Sequence, residues 1–207
     1  MKKLLLLLSL FTLNINCAEL PGMNLLDAVR QNNIDEVQRL IRAKADLNIV
    51  DNRGMTALMF AAYCGHANIV TLLIDAKANL NGQNNFGWTA LMWAASKGHE
   101  NIVKLLIDAG ADLNRRDNDG NTALMEAAYW GHANIVKLLI GAGADLNRKN
   151  NDGKTAKDIA RTQGKNEVVK IIQQEEERRT GIFEKVKDAH LNILPDGVNK
   201  IIAEYSY

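Results

Sequence analysis

Apolar positions recur along this chain at two nested spacings. In "TALMFAAYCGHANIVTLLI" (residues 56–74) they fall at helical intervals on either side of Gly65, which predicts two short amphipathic helices split at a glycine. The whole arrangement returns every 33 residues. "DNRGMTALMFAAYCGHANIV" (51–70), "NNFGWTALMWAASKGHENIV" (84–103) and "DNDGNTALMEAAYWGHANIV" (117–136) are three copies, and "NNDGKTAKDIARTQGKNEVV" (150–169) is a weaker fourth. Gly54, Gly87, Gly120 and Gly153 mark the beat. A fixed period of this size identifies stacked units, each too small to hide its own apolar face and completed by its neighbour. The threonine before each run can cap the first helix through its hydroxyl. Gly65, Gly98 and Gly131 suit the left-handed residue that ends that helix.

The pattern resembles the ankyrin repeat family. Thr56, Leu58, Ala61, Ala62, Gly65, His66, Ile69, Val70, Leu72 and Leu73 fit the family's signature, as do Thr89 through Asn114 and Thr122 through Asn147. The resemblance covers residues 23–174, in units of about 23–50, 51–83, 84–116, 117–149 and 150–174, the first and last reading as caps that turn a polar face to water. It implies an all-α solenoid of helix–turn–helix units with short β-hairpin loops. There are departures. The family's Pro and His after Thr are Ala57 and Met59, Ala90 and Met92, Ala123 and Met125. Lys44 and Lys77 stand where Gly110 and Gly143 occupy the later units, at about 1 kcal/mol each if the backbone is left-handed there.

Units 84–116 and 117–149 agree at 24 of 33 positions, so the nine that differ mark slots the scaffold leaves free. They include Phe86/Asp119, Trp88/Asn121, Trp93/Glu126, Ser96/Tyr129 and Lys97/Trp130. A slot holding Trp in one copy and Glu in the next is not expected to be a shared core slot, so Trp93, Trp88 and Trp130 are expected outside the core. In the family such slots lie on the hairpin tips and the inner face of the first helix, and together form a concave groove for partners. The resemblance therefore implies a partner-binding surface of Phe60, Tyr63, Phe86, Trp88, Trp93, Lys97, Asn121, Glu126, Tyr129 and Trp130. Aromatic residues gathered on one surface mark contact sites. The partner is expected to be a protein, and the chain a monomer. An alternative is that neighbouring hairpins pack these rings on one another.

Nearly half of the residues are apolar, 47%, enough for a core, and the formal net charge of +1 gives no electrostatic case for nucleic acid. No phosphate-binding glycine loop, Cys-x-x-Cys pair or nucleophile in a recognised setting is present, so no enzyme activity, cofactor or small-molecule substrate is expected. His66, His99 and His132 recur with the period. Stacking would set them about 10 Å apart, too far to share one zinc at about 2.0–2.1 Å, so no metal site is expected.

The ends carry separate signals. "MKKLLLLLSLFTLNINCA" (1–18) has the layout of a secretory signal peptide, and its apolar run Leu4–Leu13 is too short to span roughly 30 Å of hydrocarbon. A cut after Ala18 would give an exported protein, periplasmic or secreted, leaving Cys64 as the one cysteine and no internal disulfide. The alternative is a lipid anchor on Cys17, a poor match because Asn14 and Asn16 precede it. Beyond 174, "EEERRTGIFEKVKDAH" is helix-prone with Gly181 as a break, and residues 175–207 read as a helical tail. "LNILPDGVNKIIAEYSY" resembles the opening of an F-box, with Leu194, Pro195, Ile201 and Tyr205 in the contact positions and Gly197 in place of the expected Glu. That resemblance implies docking to a ubiquitin-ligase adaptor, as in a host-directed effector; the alternative is a helix closing the last apolar face.

Overall fold

A computed structural model describes residues 23–191, with side chains as far as Gly181. The proposed signal peptide, Cys17, and Leu194, Pro195, Ile201 and Tyr205 lie outside the described residues. Among the described residues ten helices follow one another: α1 (Leu25–Arg30), α2 (Ile34–Arg42), α3 (Ala57–Cys64), α4 (Ala67–Asp75), α5 (Ala90–Lys97), α6 (Glu100–Asp108), α7 (Ala123–Trp130), α8 (Ala133–Gly141), α9 (Ala156–Thr162) and α10 (Asn166–Leu191). They form five antiparallel pairs stacked in two layers, with α1, α3, α5, α7 and α9 in one and α2, α4, α6, α8 and α10 in the other. This is the all-helical repeat solenoid the sequence implies. Among the described residues the hairpin loops hold no regular strand, only one antiparallel bridge between Val50 and Thr56.

The local chemistry is repeated as faithfully as the sequence. Thr56, Thr89, Thr122 and Thr155 each sit in extended backbone and accept a hydrogen bond from the amide three residues on, at 3.2, 3.3, 3.4 and 3.3 Å. The methionine that replaces the family's histidine recovers part of a polar role, because Met92 Sδ accepts the Thr89 N–H at 3.4 Å. Gly65, Gly98 and Gly131 end their helices at φ 83°, 78° and 83°. The next unit adds a second demand for glycine, since a Cβ at Gly65 or Gly98 would lie 2.8 Å from the imidazole of His99 or His132. The histidines are thus used in packing: His99 Nε2 donates to the Tyr63 carbonyl and His132 Nε2 to the Ser96 carbonyl, both at 3.1 Å. Lys44 and Lys77 do adopt left-handed backbone, φ 58° and 66°.

The core is a continuous strip between the layers. Leu58, Met59, Ile69 and Leu73 recur as Leu91, Met92, Ile102 and Leu106, then as Leu124, Met125, Ile135 and Leu139, all at most 2% exposed. The paired alanines, Ala61 and Ala62 through Ala127 and Ala128, are fully buried and let successive first helices approach more closely than successive second helices. That difference in spacing curves the stack toward the first-helix side. Polar ladders fix the register at both edges. At the hairpin tips Asn85, Asn118 and Asn151 donate backbone N–H to the carbonyls of Arg53, Phe86 and Asp119 at 2.9–3.1 Å. At the opposite loops the Asn48, Asn81 and Asn114 side chains accept from the next unit's backbone at 2.9–3.0 Å.

The break expected at Gly181 is absent. α10 runs through it to Leu191. One helical glycine costs only about 1 kcal/mol, and its surroundings are strong helix formers with Arg178 and Arg179 both bonded to Glu175. Lys157 of α9 pairs with Glu176, so α10 stays tied to the closing unit beyond its apolar contacts.

Candidate partner-binding site

The inner surface is assembled from the hairpin tips and the first helices, four equivalent slots at a time. At the tips, the slot of Arg53, Phe86, Asp119 and Asp152 is exposed, while that of Met55, Trp88, Asn121 and Lys154 is graded from buried to exposed along the stack. On the first helices, the slot of Phe60, Trp93, Glu126 and Ile159 faces the neighbouring unit. The slots of Tyr63, Ser96 and Tyr129 and of Cys64, Lys97 and Trp130 close the helix C-terminal ends.

Two groups of rings result. In the first, Trp88 and Trp93 lie 4.3 Å apart by ring centroids, and Tyr63 meets Trp93 edge-on at 5.1 Å. Lys97 Nζ sits 4.7 Å from the Tyr63 ring, a cation–π contact. Trp88 is on a tip and Trp93 on the following helix, so five residues of spacing bring two indoles together across the turn. The second group is Tyr129 and Trp130, edge to face at 5.2 Å. The rings of the first group do pack on one another, but between one tip and two helices and not between neighbouring hairpins, and they still leave an aromatic surface in water. Tyr63, Phe86, Tyr129 and Trp130 are 40%, 59%, 43% and 53% exposed.

The slot rule fails in one place. Phe60, Glu126 and Ile159 are only 7%, 9% and 8% exposed, and Trp93 is part-buried with its indole N–H enclosed and unpartnered. The slot is buried in three of these four units and part-buried in the fourth, although its residue changes from Phe to Trp to Glu to Ile. Two of these side chains are covered by neighbours and not by a scaffold residue of fixed shape: Phe60 by the Arg30 guanidinium 4.3 Å away, Trp93 by Trp88 and Tyr63. Variation therefore signals a locally negotiated contact as well as an exposed one. Trp88 is likewise part-buried against the core, and only Trp130 of the three tryptophans stands out in solvent.

Toward the C-terminal end the inner surface turns from aromatic to acidic. Glu126 shares its surroundings with Asp117 and Asp119, and burial first, then those two charges, pushes its carboxyl up to about 7. Glu126, Asn121 and Tyr129 line one cleft together with Asn150, Asp152 and Lys154. The closing unit's contribution was not legible in the comparison of units 84–116 and 117–149, which does not reach its turn residues Asn150, Asp152 and Lys154. Asp117 does act as one, accepting the N–H groups of Asp119 and Asn121 at 3.0 and 2.7 Å. Among the described residues no group of three or more His, Cys, Asp or Glu side chains is placed to hold a metal ion. Cys64 is a free, exposed thiol.

Comparison with known families agrees with this architecture. A model described as ankyrin repeats in three copies matches residues 25–117, and one described as ankyrin repeats in many copies matches residues 106–160. No curated protein matches the chain. Five stacked helix pairs, Thr caps, left-handed glycines and these two matches together make the chain a member of the ankyrin repeat family, whose proteins generally mediate protein–protein interaction.

Proposed function

We propose that this is a non-catalytic, exported protein-binding module that engages a protein partner through the concave face of its first helices and hairpin tips. The observation that carries it is the row of exposed rings on that face, Tyr63, Phe86, Tyr129 and Trp130, on a scaffold whose other large apolar side chains are mostly buried. Tyrosine and tryptophan give large contact area at low ordering cost and dominate binding hot spots. The signal-like start of residues 1–18 supports export, with a partner in the periplasm or outside the cell. A second reading, a host-directed effector, rests on Leu194 and Pro195 and requires a cytosolic ubiquitin-ligase adaptor as the partner.

A photo-crosslinking residue placed at Tyr63 or Trp130, and as a control at Lys104 on the exposed face of α6, tests both. The concave positions should capture a discrete protein in the fraction where the mature chain resides, with a mass lacking residues 1–18. The control should not. Trp130→Ala should weaken capture at Tyr63 while leaving unfolding free energy within about 0.5 kcal/mol, because the ring is largely in water. Capture only from Lys104 would overturn the concave-face reading. Full-length protein in the cytosol would overturn export.

A further inference from the structure

The following rests on the concave-face reading and adds the chemistry of what enters it. A cleft of about 210 Å³ opens between unit 117–149 and the closing unit. Asn150 Nδ2 donates to Asn121 Oδ1 at 3.0 Å and ties the two tips across its rim. Glu126 lines the cleft at 9% exposure, and its carboxyl group makes no hydrogen bond or ion pair among the described residues. A carboxylate so enclosed is costly to ionise until a cation meets it.

The surroundings specify the sign of the missing group. Asp117 and Asp119 face Glu126 from the tip leading into α7, Asp152 lines the cleft from the next tip, and Tyr129 offers a ring from α7 itself. Among the described residues Lys154 is the one cation lining the cleft, and it forms no ion pair with Glu126. The charged groups of the flanking first helices are engaged elsewhere: Lys97 over the Tyr63 ring, Lys157 on Glu176, and Arg161 on Asp158. We propose that this cleft receives an arginine side chain of the protein partner, its guanidinium between the carboxylates of Glu126 and Asp152 and its plane against the Tyr129 ring. A guanidinium fits better than an ammonium because its planar fork meets two carboxylates and stacks on an aromatic face while staying fully charged. The three aspartates add a negative field that attracts it.

The assignment carries a pH signature. Arginine does not titrate near neutrality, whereas burial together with Asp117 and Asp119 holds the Glu126 carboxyl up to about 7. Ionised Glu126 is the binding form, so affinity should rise close to tenfold from pH 6 to pH 8.

The test is an amide NMR titration of the full chain with N-acetyl-L-arginine methylamide, beside its lysine and citrulline counterparts. Saturable shifts confined to the cleft, tighter at pH 8, are expected for arginine, and at least tenfold weaker binding for uncharged citrulline. Glu126→Gln should retain its folded spectrum and lose both the tight binding and its pH dependence. Lysine binding as tightly as arginine would overturn the guanidinium assignment. Absent shifts, or shifts unchanged in Glu126→Gln, would overturn the site. Failure here with crosslinking intact at Tyr63 would remove only the arginine proposal, whereas crosslinking confined to Lys104 would remove the concave-face reading itself.

Discussion

Glu126 shows how a single side chain can be tolerated in the wrong solvent. In an unfolded chain its carboxyl titrates near 4.5, and in the fold near 7. Below pH 4.5 it is protonated in both states and costs nothing. Between 4.5 and 7 the folded state holds a proton the unfolded state has released, so stability falls as pH rises, and above 7 the full cost is present. Converted directly, the difference is on the order of 3 kcal/mol. Glu126→Gln should therefore unfold at a higher urea concentration than the natural chain at pH 8.5, with the advantage shrinking toward zero near pH 4.5. A constant difference across that range would mean the carboxyl reaches water in the fold. A residue that destabilises its own repeat at neutral pH is easier to understand where a ligand cation stabilises it.

At the scale of elements, the indole pair explains why one unit carries two tryptophans. Trp93 stands on α5 but touches Trp88 on the tip before it and Tyr63 on α3, so it locks a loop and two neighbouring helices at one point. Removal of a buried aromatic costs about 3–5 kcal/mol, and for this part-buried ring Trp93→Ala should cost about 2–4 kcal/mol in urea unfolding. Trp93→Phe should recover most of that, because the indole N–H it deletes has no partner to lose. If Trp93→Ala proves neutral, the ring belongs to the partner surface alone.

For the whole molecule, stability is a sum over units and the contacts between them. The last unit matters out of proportion to its weak sequence match, since α9 and α10 cover the apolar faces of α7 and α8. A chain stopped after Lys149 exposes that face, including Met125 and Leu139. It should unfold with a urea m-value roughly a quarter smaller, in line with the lost surface, and should self-associate in sedimentation velocity. A truncated chain that stays monomeric with an unchanged m-value would show that the closing unit contributes no packing.

The 33-residue period, the Thr and Gly punctuation and the apolar stripes were enough to determine the repeat solenoid, its helix pairs and which positions form the shared core. Those features are local and repeat identically, so a single chain displays them several times over. The sequence also indicated where the variable surface lies. It did not separate Glu126, which is buried, and Trp93, which is part-buried, from Phe86 and Trp130, which are exposed, because all four differ between units in the same way. Burial in that slot depends on which side chain the adjacent unit offers, a contact reaching across about one repeat length. The cleft around Glu126 has the same origin. Its walls come from residues about 30 positions apart that meet only when two units stack, so only the tertiary structure could place an unpartnered carboxyl between them.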